Sequence, residues 1–166
     1  SGNRALTLDS KMYNTGTVDS LTGTYNLATY NASLNDLRLD FRYKNHGQSS
    51  NAANKVWIRG NDQQIWIEVF DLAANQNPVD GTYKLSSSIE LSDFLQNNSQ
   101  NYSSSFQVRW GQYGQHMAAD NDGGAGYTFD DIRIYEVTDD VQLISIDTPI
   151  VNSCGLFSAT PVRIKV

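Results

Sequence analysis

The stretch Lys55–Phe70, KVWIRGNDQQIWIEVF, limits what this chain can fold into more than any other. Two runs of apolar/polar alternation flank Gly60-Asn61-Asp62-Gln63, the pattern of two β-strands joined by a turn. The simplest register sets Arg59 against Gln64, Ile58 against Ile65, Trp57 against Trp66, Val56 against Ile67 and Lys55 against Glu68. One face is then wholly aliphatic (Val56, Ile58, Ile65, Ile67) and belongs to a core. The other places a tryptophan pair between an ion pair and a polar pair, a mixture suited to solvent or to a partner. A slip of one residue would drive Lys55 and Glu68 inward, so the alternation specifies a half-buried antiparallel sheet.

The same period recurs along the chain. Asp36–Tyr43 points Leu37, Leu39, Phe41 and Tyr43 one way and Arg38, Asp40 and Arg42 the other. Ser104–Trp110 points Phe106, Val108 and Trp110 inward and Gln107 and Arg109 outward, which makes Trp110 a core anchor. Arg4–Asp9 and Thr128–Val137 read as further strands, with shorter ones near Thr24–Thr29, Gly81–Leu85 and Ser88–Leu91 and a single helical turn over Leu91–Leu95. No segment sustains a 3.6-residue period over the length of a globular helix, and strands separated by turn-rich polar loops predict an all-β sandwich. Residues 1–137 form this domain and 138–140 a hinge. Val141–Asp147 and Pro161–Val166 resemble the opening strands of an incomplete immunoglobulin-like module, 141–166. Because RALTLD is already in mid-pattern, the chain is expected to be a piece of something longer.

Charge narrows the function classes. The 12 Lys+Arg are scattered among 18 Asp+Glu in 166 residues, for a net charge of -6, so no basic stripe is present to neutralise phosphates, and nucleic acid is not an expected partner. Cys154 is the only cysteine, so no disulfide forms within the chain. No apolar run approaches the roughly 20 residues of a membrane span.

Four sets of residues are candidates for function. Asp120-Asn121-Asp122-Gly123-Gly124 clusters carboxylates on a loop, the hard oxygen chemistry of Ca²⁺, although the spacing is not that of an EF-hand and an ordinary Asx/Gly turn is the alternative. Asp130 and Asp131 open the following strand, where an inward carboxylate needs a partner and a cation is one candidate. Trp57 and Trp66, with Tyr113 and Tyr127, can stack on a sugar or a partner surface, or be covered by a loop or a neighbouring domain. His46 and His116 have no recognisable nucleophile beside them, and Glu68 and Glu90 do not form a plausible acid pair, so no catalytic constellation is expected.

LDFRYKNHG (Leu39–Gly47), KVWIRGNDQQIWIEVFDL (Lys55–Leu72), SSSFQVRWGQYG (Ser103–Gly114) and GYTFDDIRIYEV (Gly126–Val137) together resemble the MAM-like, cleaved-adhesin-type jelly-roll modules of large secreted proteins of Bacteroidetes. Asp140–Leu156 is similar to the start of the immunoglobulin-like module that often follows them. The resemblance implies a non-catalytic adhesion or recognition domain, on a surface adhesin or beside a secreted peptidase, exported by the type IX route to the cell exterior. It also implies a structural calcium in some members, with Asp130 and Asp131 matching the aspartates that open the last strand. In the family a strand normally precedes GNRALTLDS, and the resemblance implies that it is supplied by another chain or lies outside this sequence. A calcium-dependent carbohydrate-binding module and a passive accessory spacer are the alternatives. The expected partners are neighbouring domains of the same long protein and a surface glycan or protein, with no membrane insertion. Asp19-Ser20-Leu21 matches the short pattern at which such bacteria O-glycosylate exported proteins, making Ser20, in a polar loop, a candidate glycan site.

Overall fold

A computed structural model describes residues 4–9, 17–46, 52–77, 81–115, 126–138, 145–148 and 163–165. The elements in order are β1 (Leu6–Asp9), β2 (Thr17–Tyr25), β3 (Asp36–Asn45), β4 (Lys55–Arg59), β5 (Ile67–Asp71), β6 (Lys84–Leu85), β7 (Ile89–Glu90), α1 (Leu91–Asn97), β8 (Phe106–Gln115), β9 (Gly126–Val137), β10 (Ser145–Thr148) and β11 (Arg163–Lys165). They form an all-β sandwich of two antiparallel sheets. One has the order β1-β9-β3-β6, with β7 also on β3; the other has the order β2-β8-β4-β5. β10 and β11 pair with each other in a separate two-stranded sheet.

The core lies between the two sheets and follows the alternation of the strands. Leu37, Leu39, Phe41 and Tyr43 from β3 are buried, as are Phe106, Val108 and Trp110 from β8. Phe41 ties the layers together: its ring centroid is 5.6 Å from Phe70 of β5, 6.1 Å from Trp110 of β8 and 5.9 Å from Phe129 of β9. All three contacts are tilted or edge-on, the arrangement that aromatic quadrupoles favour. Ser92 fixes α1 against this core. Its hydroxyl donates to the Asn35 carbonyl at 2.6 Å, accepts the Leu37 N–H at 3.0 Å and lies 2.8 Å from the Tyr102 hydroxyl. The helix therefore runs beyond the single turn expected, with Leu91, Ser92 and Leu95 buried.

Two expectations are corrected. The short strand near Thr24–Thr29 is in fact β2, which begins at Thr17, ends at Tyr25 and pairs with β8 throughout. Its Thr, Ser, Asp and Gly residues obscure the alternation because β2 is an edge strand with one solvated face.

The Lys55–Phe70 register also differs. Ile58 pairs with Ile67, Trp57 with Glu68, Val56 with Phe70 and Lys55 with Asp71, and Val69 is the extra residue of a β-bulge. The bulge buries Val69 and Phe70 together. Phe70 then packs 5.8 Å from Tyr43 as well as on Phe41. Ile65, expected in the core, is 75% exposed, and Trp66 lies outside the strand. Burying a phenylalanine outweighs exposing an isoleucine only if the longer loop is held, and it is held from the side. Gln100 accepts the Gly60 N–H at 2.8 Å and donates to the Ile65 carbonyl at 3.0 Å, while Ser103 donates to the Gly60 carbonyl at 2.6 Å.

A second irregularity falls in β9, where the pairing jumps from Asp40–Arg133 to Arg42–Asp130. Asp131, in the extra segment, has φ of 47°, a left-handed backbone that costs an L-residue and suits glycine. Its N–H donates to Asp130 Oδ1 at 2.8 Å, and its carboxylate lies 3.5 Å from the Arg42 guanidinium. Asp131→Gly should raise the melting temperature and Asp131→Val should lower it, as read by thermal denaturation of the two variants beside the parent.

Candidate functional site

The outer face of the β2-β8-β4-β5 sheet carries the candidate site. The pairing builds it in rows: Thr24, Gln107 and Arg59 lie side by side across β2, β8 and β4, and Thr22, Arg109 and Trp57 form the next row, with Glu68 beyond on β5. Gln107 donates to the Thr24 hydroxyl at 3.0 Å and accepts from Arg59 Nε at 2.7 Å. Arg109 Nε donates to the Thr22 hydroxyl at 3.1 Å. The two guanidinium groups are thereby oriented, and Trp66, brought back over the face by the Gly60–Trp66 loop, meets both. Its ring centroid is 4.3 Å from Arg59 Cζ and 4.0 Å from Arg109 Cζ, within cation–π range.

Along the same face Lys55 bridges Asp71 at 2.5 Å and Glu68 at 2.9 Å. Hydrogen bonds first to Asp71 and then to Glu68 hold the Lys55 ammonium above its ordinary range. Burial pushes Asp71 up, but the Lys55 ammonium and the N–H groups of Ala74 and Ala73 outweigh it and hold the carboxyl low. This side of the face is electrically closed. Arg59 and Arg109, like Arg4, Lys44 and Lys84, have no carboxylate in ion-pair reach among the described residues, whereas Arg38, Arg42, Lys55 and Arg133 each have at least one.

The other candidate residues are dispersed. Trp57, half-buried, stands opposite Glu68 and not opposite Trp66, which corrects the expected tryptophan pair. Tyr127 is fully buried and stacked on Phe129 at 6.2 Å, so its ring belongs to the core. Tyr113 lies on β8 opposite Val18, and its side chain is outside the described residues. Ser20 is exposed, but on strand β2 opposite Gly111 and not in a loop. His46 Nε2 is 2.7 Å from the Thr128 hydroxyl, and His116 lies outside the described residues.

Asp120 and Asp122 also lie outside the described residues. Asp130 and Asp131 are adjacent on β9, but beside Asp131 the structure sets the Arg42 guanidinium, a positive charge where a cation site needs another oxygen ligand. No group of three or more His, Cys, Asp or Glu side chains suited to a metal ion occurs among the described residues.

A separate groove of about 370 Å³ is lined by residues including Asp36, Arg38, Glu90, Ser92 and Asp93. Donating a hydrogen bond to the Asp93 carboxylate holds the Glu90 carboxyl above its usual range, against the lowering pull of Arg38. A raised folded-state value gives stability that is fully present below the unfolded value and lost as pH rises through the folded one. Glu90→Gln should therefore raise the melting temperature more at about pH 7 than at about pH 4, flattening the dependence read from melts at the two pH values.

The arginines were visible in the sequence as outward positions. Their convergence on Trp66 was not, because it needs the β4–β8 pairing and the bulged β5 register. Comparisons with known families, curated proteins and solved structures found no match to the chain.

Proposed function

We propose that this chain is a non-catalytic adhesion or recognition module of a large secreted or cell-surface protein, and that it binds through the outer face of the β2-β8-β4-β5 sheet. The observation that carries the reading is the meeting of Trp66 with Arg59 and Arg109, three large side chains outside the core whose cations have no carboxylate partner among the described residues. The core accounts for the buried residues of the sandwich without them. A jelly-roll winding is part of the proposal. It is supported by the way β1, β3 and β9 fall in one sheet and β2, β4, β5 and β8 in the other, so that the chain crosses repeatedly between layers.

The resemblance to cleaved-adhesin modules supports an extracellular setting beside other domains of the same protein. Two further readings remain as proposals: a carbohydrate-binding module requiring calcium, and a spacer that uses this face to dock a neighbouring domain of a secreted peptidase. The purified chain, presented to a glycan panel and to intact bacterial surfaces, should be retained, and the Arg59→Gln/Arg109→Gln double variant should not be. Retention that needs millimolar calcium, with a melting temperature that rises on adding it, would favour the calcium reading. Hydrolysis of a peptide or glycan by the purified chain, lost on changing Glu90 or His46, would overturn the non-catalytic assignment.

A further inference from the structure

We propose that the ligand of the Trp66 face is a carboxylate-bearing glycan, a chain of uronic acids or sugars of the same charge; this rests on the recognition reading above. The first observation is electrostatic. In a chain of net charge -6, Arg38, Arg42, Lys55 and Arg133 each lie 2.5–3.5 Å from a carboxylate, while Arg59 and Arg109 both meet the one Trp66 ring and have none in ion-pair reach among the described residues. Two cations kept together without a counter-ion make a local positive potential in an acidic protein, complementary to an anion.

The second is geometric. Each Nε is already committed, Arg59 to Gln107 and Arg109 to Thr22, and both guanidinium carbons lie within 4.3 Å of the Trp66 ring centroid. Orientation is therefore settled before a ligand arrives, and the terminal amino groups remain as the donors that a carboxylate accepts in pairs. Apart from one long 3.4 Å contact from Arg59 Nη1 to the Gln64 carbonyl, no hydrogen bond among the described residues engages those amino groups. The third is the company they keep. Thr22, Thr24 and Gln107 line the same two rows with hydroxyl and amide groups, matching the hydroxyls of a sugar chain laid across the strands.

The test is calorimetric titration of the full chain with oligogalacturonate, a neutral xylo-oligosaccharide and poly-glutamate. The expected result is binding of oligogalacturonate alone, weakened by salt, and weakened about tenfold or more by Arg59→Gln or by Arg109→Gln, the loss of a charge-assisted hydrogen bond. Melting curves of each variant show whether the fold is kept. Equal binding of the neutral oligosaccharide would overturn the acidic ligand class while leaving the recognition reading intact. Equal binding of poly-glutamate would overturn the glycan assignment. Failure to bind any of the three, together with a large drop in melting temperature for Arg109→Gln, would make the stack a structural clamp and would remove both readings of this face.

Discussion

Phe70→Ala should destabilise the protein by about 3–5 kcal/mol, while Ile65→Ala should change stability by less than about 0.5 kcal/mol, both read by chemical denaturation. The asymmetry follows from the bulge. Val69 is the unpaired residue, so Phe70 turns inward opposite Val56 and closes on Phe41 and Tyr43. Truncation there removes an aromatic ring from a site walled by other rings, which relax little into the space. Ile65, at 75% exposure, forfeits almost no burial. A tight hairpin with Ile58 opposite Ile65 predicts the reverse order. The two variants therefore decide between the registers without a new structure.

Gly60→Ala should cost about 1–3 kcal/mol for a single added methyl, the penalty of overpacking a site that cannot expand. A Cβ on Gly60 would lie 2.2 Å from the Asn101 carbonyl oxygen and 2.6 Å from Gln64 Oε1. The glutamine can swing away, but the carbonyl is backbone and its residue is tied on both sides. Asn101 Oδ1 accepts the Ala32 N–H at 2.8 Å and the Tyr102 N–H at 2.9 Å. The strain would fall on the loop that the Gln100 and Ser103 side chains hold closed, and that loop delivers Trp66 to the arginines. Gly60→Ala should accordingly shift the Trp66 fluorescence as well as the denaturation midpoint. A variant as stable as the parent would mean that the Gly60–Asn101 approach is looser than the structure shows.

What the sequence made legible depends on how local the determining physics is. The inward faces of β3 and β8 could be read directly, because Leu37, Leu39, Phe41 and Tyr43 and then Phe106, Val108 and Trp110 keep a strict period of two against solvated neighbours. Trp110 followed its apolar neighbours into the core as that period requires. The register of Lys55–Phe70 could not be read. Alternation constrains which face a residue takes, but it does not reveal a bulge, and the side-chain clamps on the loop come from Gln100 and Ser103, far along the chain. β2 was foreshortened because an edge strand needs few apolar residues.

The site was legible in halves for the same reason. Arg109 and Gln107 were outward positions of one strand, and Arg59 and Trp66 belonged to another stretch. Only the pairing of β4 with β8 shows that a guanidinium from each side meets the same indole. Tyr127 illustrates the opposite failure: its place next to a loop suggested an accessible ring, whereas its pairing opposite Leu8 and Asn45 puts it inside the sandwich.

The central claim is that recognition occurs on the outer face of the β2-β8-β4-β5 sheet. It is tested most directly by recording amide, guanidinium and indole resonances of the isotopically labelled chain during titration with oligogalacturonate. The expected result is a contiguous set of perturbations at Thr22, Thr24, Arg59, Trp66, Gln107 and Arg109, with the Nε–H signals of both arginines and the Trp66 indole among the largest. Perturbations confined to the groove lined by Asp36, Arg38, Glu90 and Asp93, with the Trp66 and Arg109 signals unmoved, would contradict it.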